Sequence, residues 1–397
     1  MLDVFQLTNG ELGKVSALLG IASLVCYFPG GWLADRFSSR FLLTISCLLT
    51  GIGGIYMSWL CHEPGSKYTQ LLYLHVFWSI TTILTYWAAL IKATQDWGGD
   101  NQGIAFGFLD SGRGLIQLLL TVSSIYLFSK FTTKNEGLSQ AILVHSWACI
   151  FAGLACWFWI KGSEDHKDLD LNVDKSFDSK DRDSLSDLLL LAKLPSVWLM
   201  SLIIFSGYTA YWSTLTFARY AEESYKLSEA NAAYVSTISM CIRTIMPIIA
   251  GLIADRLGRG RVVILGFLIT GGALSIFTLF PGSPDLTWML LSTVVLVSLG
   301  IFALRGVYFA LIKGTDIPTH LSGLAVGVIS LIGFTPDIIV PLYKDYLIMV
   351  YTDPNHSTVD LAYHQVFYGS LFVVTLLGVY ATHLLVKRNP GLQKMKS

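Results

Sequence analysis

Eleven stretches of the chain stay apolar for about the 20 residues that an α-helix needs to cross the hydrocarbon core of a bilayer. They fall at residues 12–33, 41–61, 71–93, 103–128, 139–160, 193–218, 230–253, 262–281, 286–312, 321–346 and 361–386. Short polar loops separate them, with one exception. "KGSEDHKDLDLNVDKSFDSKDRDSLSD", residues 161–187, is rich in Asp, Ser and Lys and cannot bury a core, so it reads as a solvated linker. It stands between five spans and six. The expected organisation is an N-terminal bundle over 1–160, a linker over 161–190, and a C-terminal bundle with a short tail over 191–397.

Composition agrees with lipid as the solvent. The 397 residues are 53% hydrophobic and only 14% charged, against about a quarter charged in soluble domains. Formal net charge is zero, so no global field points to nucleic acid. The opening "MLDVFQLTNGELG" has neither a basic n-region nor an apolar h-region and does not read as a cleavable signal. The six cysteines show no Cys-x-x-Cys spacing, and the reading is packing residues rather than disulfides or metal ligands.

Lysine and arginine set the orientation. With the loops after residues 33 and 253 and the linker placed in the cytoplasm, that side carries 17 Lys/Arg and the outer side seven. The N-terminus is then outside and the C-terminus inside. Arg113, Arg243 and Arg305 belong to neither side, because they lie within spans.

The chain also repeats itself. "GWLADRFSSR" at 31–40 returns as "GLIADRLGRGR" at 251–261, and the same offset of 220 places Gly103, Ala105 and Gly107 on Gly323, Ala325 and Gly327. "LLTG" at 48–51 falls on "LITG" at 268–271, and "ALIKAT" at 89–94 falls on "ALIKGT" at 310–315 with an offset of 221. Four stretches in one order at a nearly constant offset are the mark of an internal duplication. Equivalent loops lie on one side of the membrane, so the halves are parallel repeats. The span 193–218 has no partner in the first half. That asymmetry points to a missing first helix, through a late start or a real truncation, or else to a complete eleven-span variant.

Two parallel halves, a polar central linker and Gly-x-x-Ala-Asp-Arg after a helix of each half resemble the major facilitator superfamily. The family's loop signature is Gly-x-Leu-Ala-Asp-Arg-x-Gly-Arg-Arg/Lys. The first copy departs from it at Ser38 and Ser39, whereas the second keeps Gly258 and Arg259. "GFLDSGRG" (107–114) and "LRGVYFA" (304–310) are similar to the YihN-like branch of that superfamily. The resemblance implies an all-α integral membrane protein, with Gly31, Asp35, Arg36, Arg40, Gly251, Asp255, Arg256 and Arg259 forming an inner-gate latch. Physically, the glycines permit close helix approach, Asp35 suits a helix N-terminus, and Arg36 and Arg40 can bridge to acids. Plain positive-inside anchoring is the alternative.

Three arginines at membrane depth need an explanation. Counting 1.5 Å per residue, each lies about 12–20 Å from an interface, where a charge costs at least about 2.5–3.5 kcal/mol. Asp110 and Arg113 are three apart on one helix face, either a self-neutralising structural pair or a coupling device. Arg243 and Arg305 have no acid within a turn of their own helix and are the stronger site candidates. Asp337, between Pro336 and Pro341, can be their counter-ion, a proton carrier or an outer-gate group. Three buried cations against two acids favour an anionic solute held by guanidinium groups. Tyr86, Trp87, Tyr208, Tyr211, Trp212, Tyr234 and Tyr308 are candidates to line a cavity, with ordinary packing as the alternative. His75, His145 and His364 show no metal spacing and read as interface residues.

No Gly-x-x-x-x-Gly-Lys-Ser/Thr loop is present. The expected function is secondary active transport, by alternating access, of a small organic anion: a carboxylate, phosphate or sulfonate. The energy source is proton coupling through Asp110 or Asp337, or exchange against a counter-solute. The expected setting is a monomer in a bacterial inner membrane, with no cofactor or metal, no enzymatic role and no nucleic-acid partner. A neutral sugar or drug carrier, or a transport-dead fragment or receptor, is the runner-up.

Overall fold

The structure is a computed structural model that describes residues 2–160, 184–280, 282–352 and 360–393. Most of the expected linker 161–190 and the last four residues of the tail lie outside the described residues. The eleven apolar windows all become helices: α1 (Asn9–Arg36), α2 (Ser39–Leu60), α4 (Gln102–Lys130), α5 (Lys134–Trp159), α7 (Glu229–Leu257), α8 (Arg259–Leu279) and α11 (Ala362–Arg388) are continuous. The others, α3 (Tyr68–Gly98), α6 (Pro195–Leu215), α9 (Pro284–Leu311) and α10 (Thr319–Tyr351), contain turns of other geometry. Ten are long and apolar enough to cross a membrane on their own. The eleventh, α6, is entered from Ser186–Lys193 through a 72° bend. The bend falls just before Pro195, where proline excludes the α conformation from the preceding residue.

Local chemistry sets the boundaries. Thr8 caps α1 in a capping box: its Oγ1 accepts from the Glu11 amide at 3.2 Å, and Glu11 Oε2 accepts from the Thr8 amide at 2.8 Å. Ser38, Thr133 and Ser228 cap α2, α5 and α7 more simply, each hydroxyl accepting from one backbone amide. Gly258 separates α7 from α8 at φ +100°, a conformation natural only to glycine. Within α3, Ile80–Trp87 is a π-helical segment. Its Thr81 carbonyl accepts from Ser46 Oγ at 2.5 Å, a bond from outside the helix.

The chain divides into two compact units. One comprises Met1–Asp96, Ile116–Leu194 and Pro318–Leu331, and the other Trp97–Leu115, Pro195–Ile317 and Ile332–Ser397. Helices α4 and α10 are therefore each shared. In the first unit, α2 and α5 pack through small residues: a Cβ at Gly51 would stand 2.7 Å from the Ser146 carbonyl oxygen, and one at Gly153 only 3.1 Å from Cys47 Cβ. In the second, the repeat-equivalent Gly271 leaves room for Thr375 of α11, where a Cβ would stand 2.7 Å from Oγ1. Helices in lipid meet without a hydrophobic drive, so contact between small residues does the holding. An aromatic cluster packs in the core of the second unit, with Tyr220, Phe277 and Tyr368 at centroid separations of 4.9–5.1 Å.

Candidate functional site

The repeated loops do the same thing in each unit. In the first, the Asp35 carboxylate accepts from the Gly323 and Leu324 amides at 2.8 and 2.7 Å, at the first turn of the α-helical part of α10. In the second, Asp255 accepts from the Gly103 and Ile104 amides, both at 2.8 Å, at the first turn of α4. Orphan amides and the helix dipole both favour an anion at those positions. The glycines make the approach possible. A Cβ at Gly31 would stand 2.5 Å from the Gly323 carbonyl oxygen, and one at Gly251 would collide with the Gly103 carbonyl.

The two copies balance the carboxylate differently. Lys92 Nζ stands 3.5 Å from Asp35 and donates to the Ala34 carbonyl at 2.8 Å. Its repeat equivalent, Lys313, turns instead to the Gly99 carbonyl and to Asp100 at 3.7 Å. Beside Asp255 the cation is Arg259, 3.4 Å away, which also donates to the carbonyls of Asp100, Ala310 and Lys313. Ser39 occupies the position equivalent to Arg259. The first copy departs from the signature there, and a lysine from α3 supplies the charge. Arg36 lies 4.2 Å from the Trp32 ring centre and Arg40 lies 4.5 Å from that of Trp157. Arg256 is exposed.

The charged residues at membrane depth converge in the second unit. Asp110, 6% exposed, is contacted by Arg305 Nε and Nη2, both at 3.4 Å, and by Arg113 Nη1 at 3.8 Å. Arg305 thus has an acid after all, brought from α4 to α9. Its side chain is also only 6% exposed, and its Nη1 makes no hydrogen bond among the described residues. Arg243 of α7 is half-buried in the same field, with Arg305, Tyr211, Asp110 and Arg113 as its neighbouring charged and polar groups. Gly114 makes room for it: a Cβ there would stand 3.1 Å from Arg243 Cγ.

Aromatic rings cover one side of this cluster. The Arg305 guanidinium carbon lies 4.4 Å from the Tyr211 ring centre and 5.8 Å from that of Tyr208. The two tyrosines stack at 5.6 Å, and Phe334 abuts Tyr208 edge-on at 4.8 Å. The Tyr208 hydroxyl donates to Asp337 Oδ2 at 3.2 Å. Asp337 is exposed, in the first turn of the α10 segment that begins at Pro336. Trp212, on the 3₁₀ turn that ends α6, lies beside it. Its indole Nε1 is buried, with the Asp337 carboxylate as its hydrogen-bonding neighbour. Tyr308 is buried next to Arg305.

Not every candidate joins. Tyr86 and Trp87 belong to the π-helical segment of the first unit, where Trp87 Nε1 donates to Ser330 Oγ at 3.0 Å. Tyr234 is largely exposed. His75 and His145 each bond a carbonyl one turn back in their own helix. Buried His364 meets Glu223 Oε2 at 2.7 Å, and Glu223 also accepts from Arg219. Burial pushes the hydroxyls of Tyr220 and Tyr225, on the neighbouring helix Phe217–Tyr225, above the usual phenol range, so both stay neutral. Among the described residues, no group of three or more His, Cys, Asp or Glu side chains is placed to hold a metal.

Comparison with known proteins matches this architecture. The inner membrane protein YqcE of Escherichia coli K12 is 28% identical over 339 residues, covering 84% of this chain and 77% of its own. The inner membrane protein YihN of the same strain is 24% identical, covering 98% of this chain and 89% of its own. Among solved structures, a double-tryptophan mutant of XylE superposes with a TM-score of 0.73 at 15% identity, covering 96% of this chain and 86% of the other. FucP in its outward conformation superposes with a TM-score of 0.68 at 13% identity, covering 95% and 92%. The profile of the Major Facilitator Superfamily matches residues 1–341, and the chain, an integral membrane transporter rather than an enzyme, belongs to that family.

Proposed function

We propose that the protein is a secondary transporter of a small organic anion, a carboxylate, phosphate or sulfonate, working by alternating access between two repeat bundles over 1–160 and 191–397. The observation that carries this reading is the charge balance of the cluster in the second unit: three guanidinium groups, Arg113, Arg243 and Arg305, against Asp110 and Asp337. A site of excess positive charge in a low-dielectric setting attracts an anion and repels a cation. Arg113 and Arg243 are the partly exposed members, able to meet a solute, while the Arg305–Asp110 pair forms a buried floor. Tyr208, Trp212 and Tyr308 supply its walls. Asp110 or Asp337 carries the coupling proton, or neither does and the cycle is an exchange.

The two aspartate latches, with Gly31, Arg36, Arg40, Gly251, Arg256 and Arg259 around them, close the cytoplasmic gate in this reading. The lysine and arginine distribution puts the N-terminus outside and the C-terminus inside. The inner-membrane relatives support the bacterial plasma membrane as its location. The protein works as a monomer.

Uptake into proteoliposomes of a labelled panel of carboxylates, phosphates, sulfonates and neutral sugars tests the reading. Anion uptake is expected, and Arg243→Gln abolishes it. Anion uptake that survives both Arg243→Gln and Arg305→Gln removes this cluster from the substrate path. Uptake of neutral sugars alone favours the second reading, a sugar carrier. The stacked tyrosine platform gives that reading some support, as do solved relatives of the fold described as a proton:xylose symporter and a fucose:proton symporter.

A further inference from the structure

Independently of which solute is carried, we infer that the first unit holds an anionic phospholipid at the membrane surface, with the lipid phosphate on Arg40 beside Trp157. Both residues stand at helix ends on one side of the membrane: Arg40 is the second residue of α2, and Trp157 is the third from the end of α5. The lysine and arginine distribution makes that side the cytoplasmic one. The Arg40 guanidinium carbon lies 4.5 Å from the Trp157 ring centre. Its Nε is buried without a hydrogen-bond partner among the described residues, and no described carboxylate lies within ion-pair distance of the side chain. Asp35, the one acid of this loop, is taken by the Gly323 and Leu324 amides and by Lys92. Trp157 is exposed, as are the following residues Phe158 and Trp159 and, next to Arg40 in the chain, Phe41.

The second unit shows how this corner looks when protein fills it. Cys47 and Phe267 are equivalent by the offset of 220. A Cβ at Gly153 would stand 3.1 Å from Cys47 Cβ, and one at Gly378 would strike the Phe267 ring, so α5 aligns with α11 at an offset of 225. Trp157 then corresponds to Thr382, and Arg40 to Gly260. Thr382 is sealed from solvent, and a Cβ at Gly260 would collide with Val386 of α11. Two small residues closed by protein contact in one copy are a cation and an open ring in the other. A guanidinium over an aromatic ring keeps N–H groups at its edge, and that edge matches the oxygens of a phosphate. Trp and Phe at the same level suit the boundary between headgroups and acyl chains. With no acid to pair with an ammonium group, the corner favours an anionic headgroup over a zwitterionic one. The exposed residues Trp147, Phe151, Leu154 and Phe158 continue along one face of α5, where the acyl chains lie.

Thermal unfolding of the full-length, delipidated protein in a neutral detergent tests this. The probes are dioctanoyl phosphatidylglycerol, dioctanoyl phosphatidylcholine and inorganic phosphate. Binding to the folded state raises the melting temperature, and titration yields an affinity. Phosphatidylglycerol is expected to bind, phosphatidylcholine to bind about fivefold or more weakly, and inorganic phosphate to give no shift at the same concentration. Arg40→Gln is expected to weaken phosphatidylglycerol about fivefold, the contribution of one basic residue near an anionic surface. Arg40→Lys keeps the charge without the planar edge and should fall between the two. Trp157→Leu should weaken the same lipid. Arg261→Gln, which removes an exposed arginine on the same side of the second unit, should keep wild-type affinity. Equal affinity for the two lipids, or an affinity for phosphatidylglycerol unchanged in Arg40→Gln, overturns the inference. So does inorganic phosphate matching the lipid's shift, which makes this a site for the free ion. An equal loss in Arg40→Gln and Arg261→Gln also overturns it, because charge attraction at large is then sufficient. If Arg40→Gln does not fold, wild-type affinity in both Arg40→Lys and Trp157→Leu refutes the site.

Discussion

Asp110 and Arg305 stand 195 positions apart in the chain, yet meet through two contacts of 3.4 Å with both side chains almost sealed from solvent. Removing one member of such a pair leaves an uncompensated buried charge, at a cost of about 3–5 kcal/mol. Asp110→Asn is therefore expected to lower the melting temperature of the detergent-purified protein sharply. Arg305→Gln leaves Asp110 with Arg113 and should cost less. The double variant Asp110→Asn/Arg305→Gln should recover part of the loss. Wild-type stability in Asp110→Asn would mean that Arg305 reaches water without its partner.

The exchange of cations between the two latches makes a separate prediction. Lys92 serves Asp35 and Arg259 serves Asp255, although Lys92 and Lys313 are the repeat equivalents. Lys92→Met and Arg259→Met should each destabilise the protein by about 1–3 kcal/mol, the range for a lost bond to a charged group. Lys313→Met, away from Asp255, should cost under about 1 kcal/mol, as partly exposed pairs do. Ser39→Arg places the cation where the second copy holds it, and should restore most of the stability lost in Lys92→Met. Melting curves of the four variants decide the matter, and a failed rescue refutes the exchange.

Much of this was legible in the sequence, for identifiable reasons. The apolar windows mark the helices because lipid demands an unbroken run of apolar residues. The latch aspartates stand out because a charge in a fixed Gly-x-x-Ala-Asp-Arg order at two equivalent places has to do more than anchor. Periodicity, however, does not say which helices touch. The acid for Arg305 came from another helix, outside the one-turn window in which a sequence reader searches. The Lys92–Asp35 pair left a faint trace in two features, Ser39 in place of arginine and the repeated "ALIK" segment. The π-helical turn at Ile80–Trp87, supported by Ser46 from α2, left none, because its extra residue per turn is stabilised by a tertiary hydrogen bond.

Glycine substitutions should separate contact from mere composition. A Cβ at Gly107 would stand 2.5 Å from the Pro247 carbonyl oxygen, and one at Gly251 would strike the backbone at Gly103. Backbone cannot step aside as a side-chain tip can, so Gly107→Ala and Gly251→Ala should each cost about 1–3 kcal/mol by overpacking. At Gly112 and Gly272 an added methyl would meet nothing within 4 Å. Alanine there should be neutral or stabilising by up to about 1 kcal/mol, since it is the better helix former. Melting temperatures of the four single variants in one detergent give the ranking, and equal losses at all four would count against the packing explanation.

Tyr211 presents its ring face to Arg305 at 4.4 Å, so it acts on the guanidinium that also holds Asp110. Tyr211→Phe keeps the face and should change stability little. Tyr211→Leu removes it and should cost about 0.5–2 kcal/mol beyond the change in packing. Because the tyrosine and the aspartate grip one arginine from two sides, their losses should not add: Tyr211→Leu combined with Asp110→Asn should differ from the sum of the singles by at least about 0.5 kcal/mol. Residues in one ion-pair network couple, whereas distant sites do not. Asp35 bonds Lys92, Gly323 and Leu324 and takes no part in the Asp110–Arg305 pairing, so Tyr211→Leu with Asp35→Asn serves as the additive control. Additivity in both pairs would show that Tyr211 packs beside Arg305 without orienting it, and non-additivity confined to the first would identify the ring as part of the charge network.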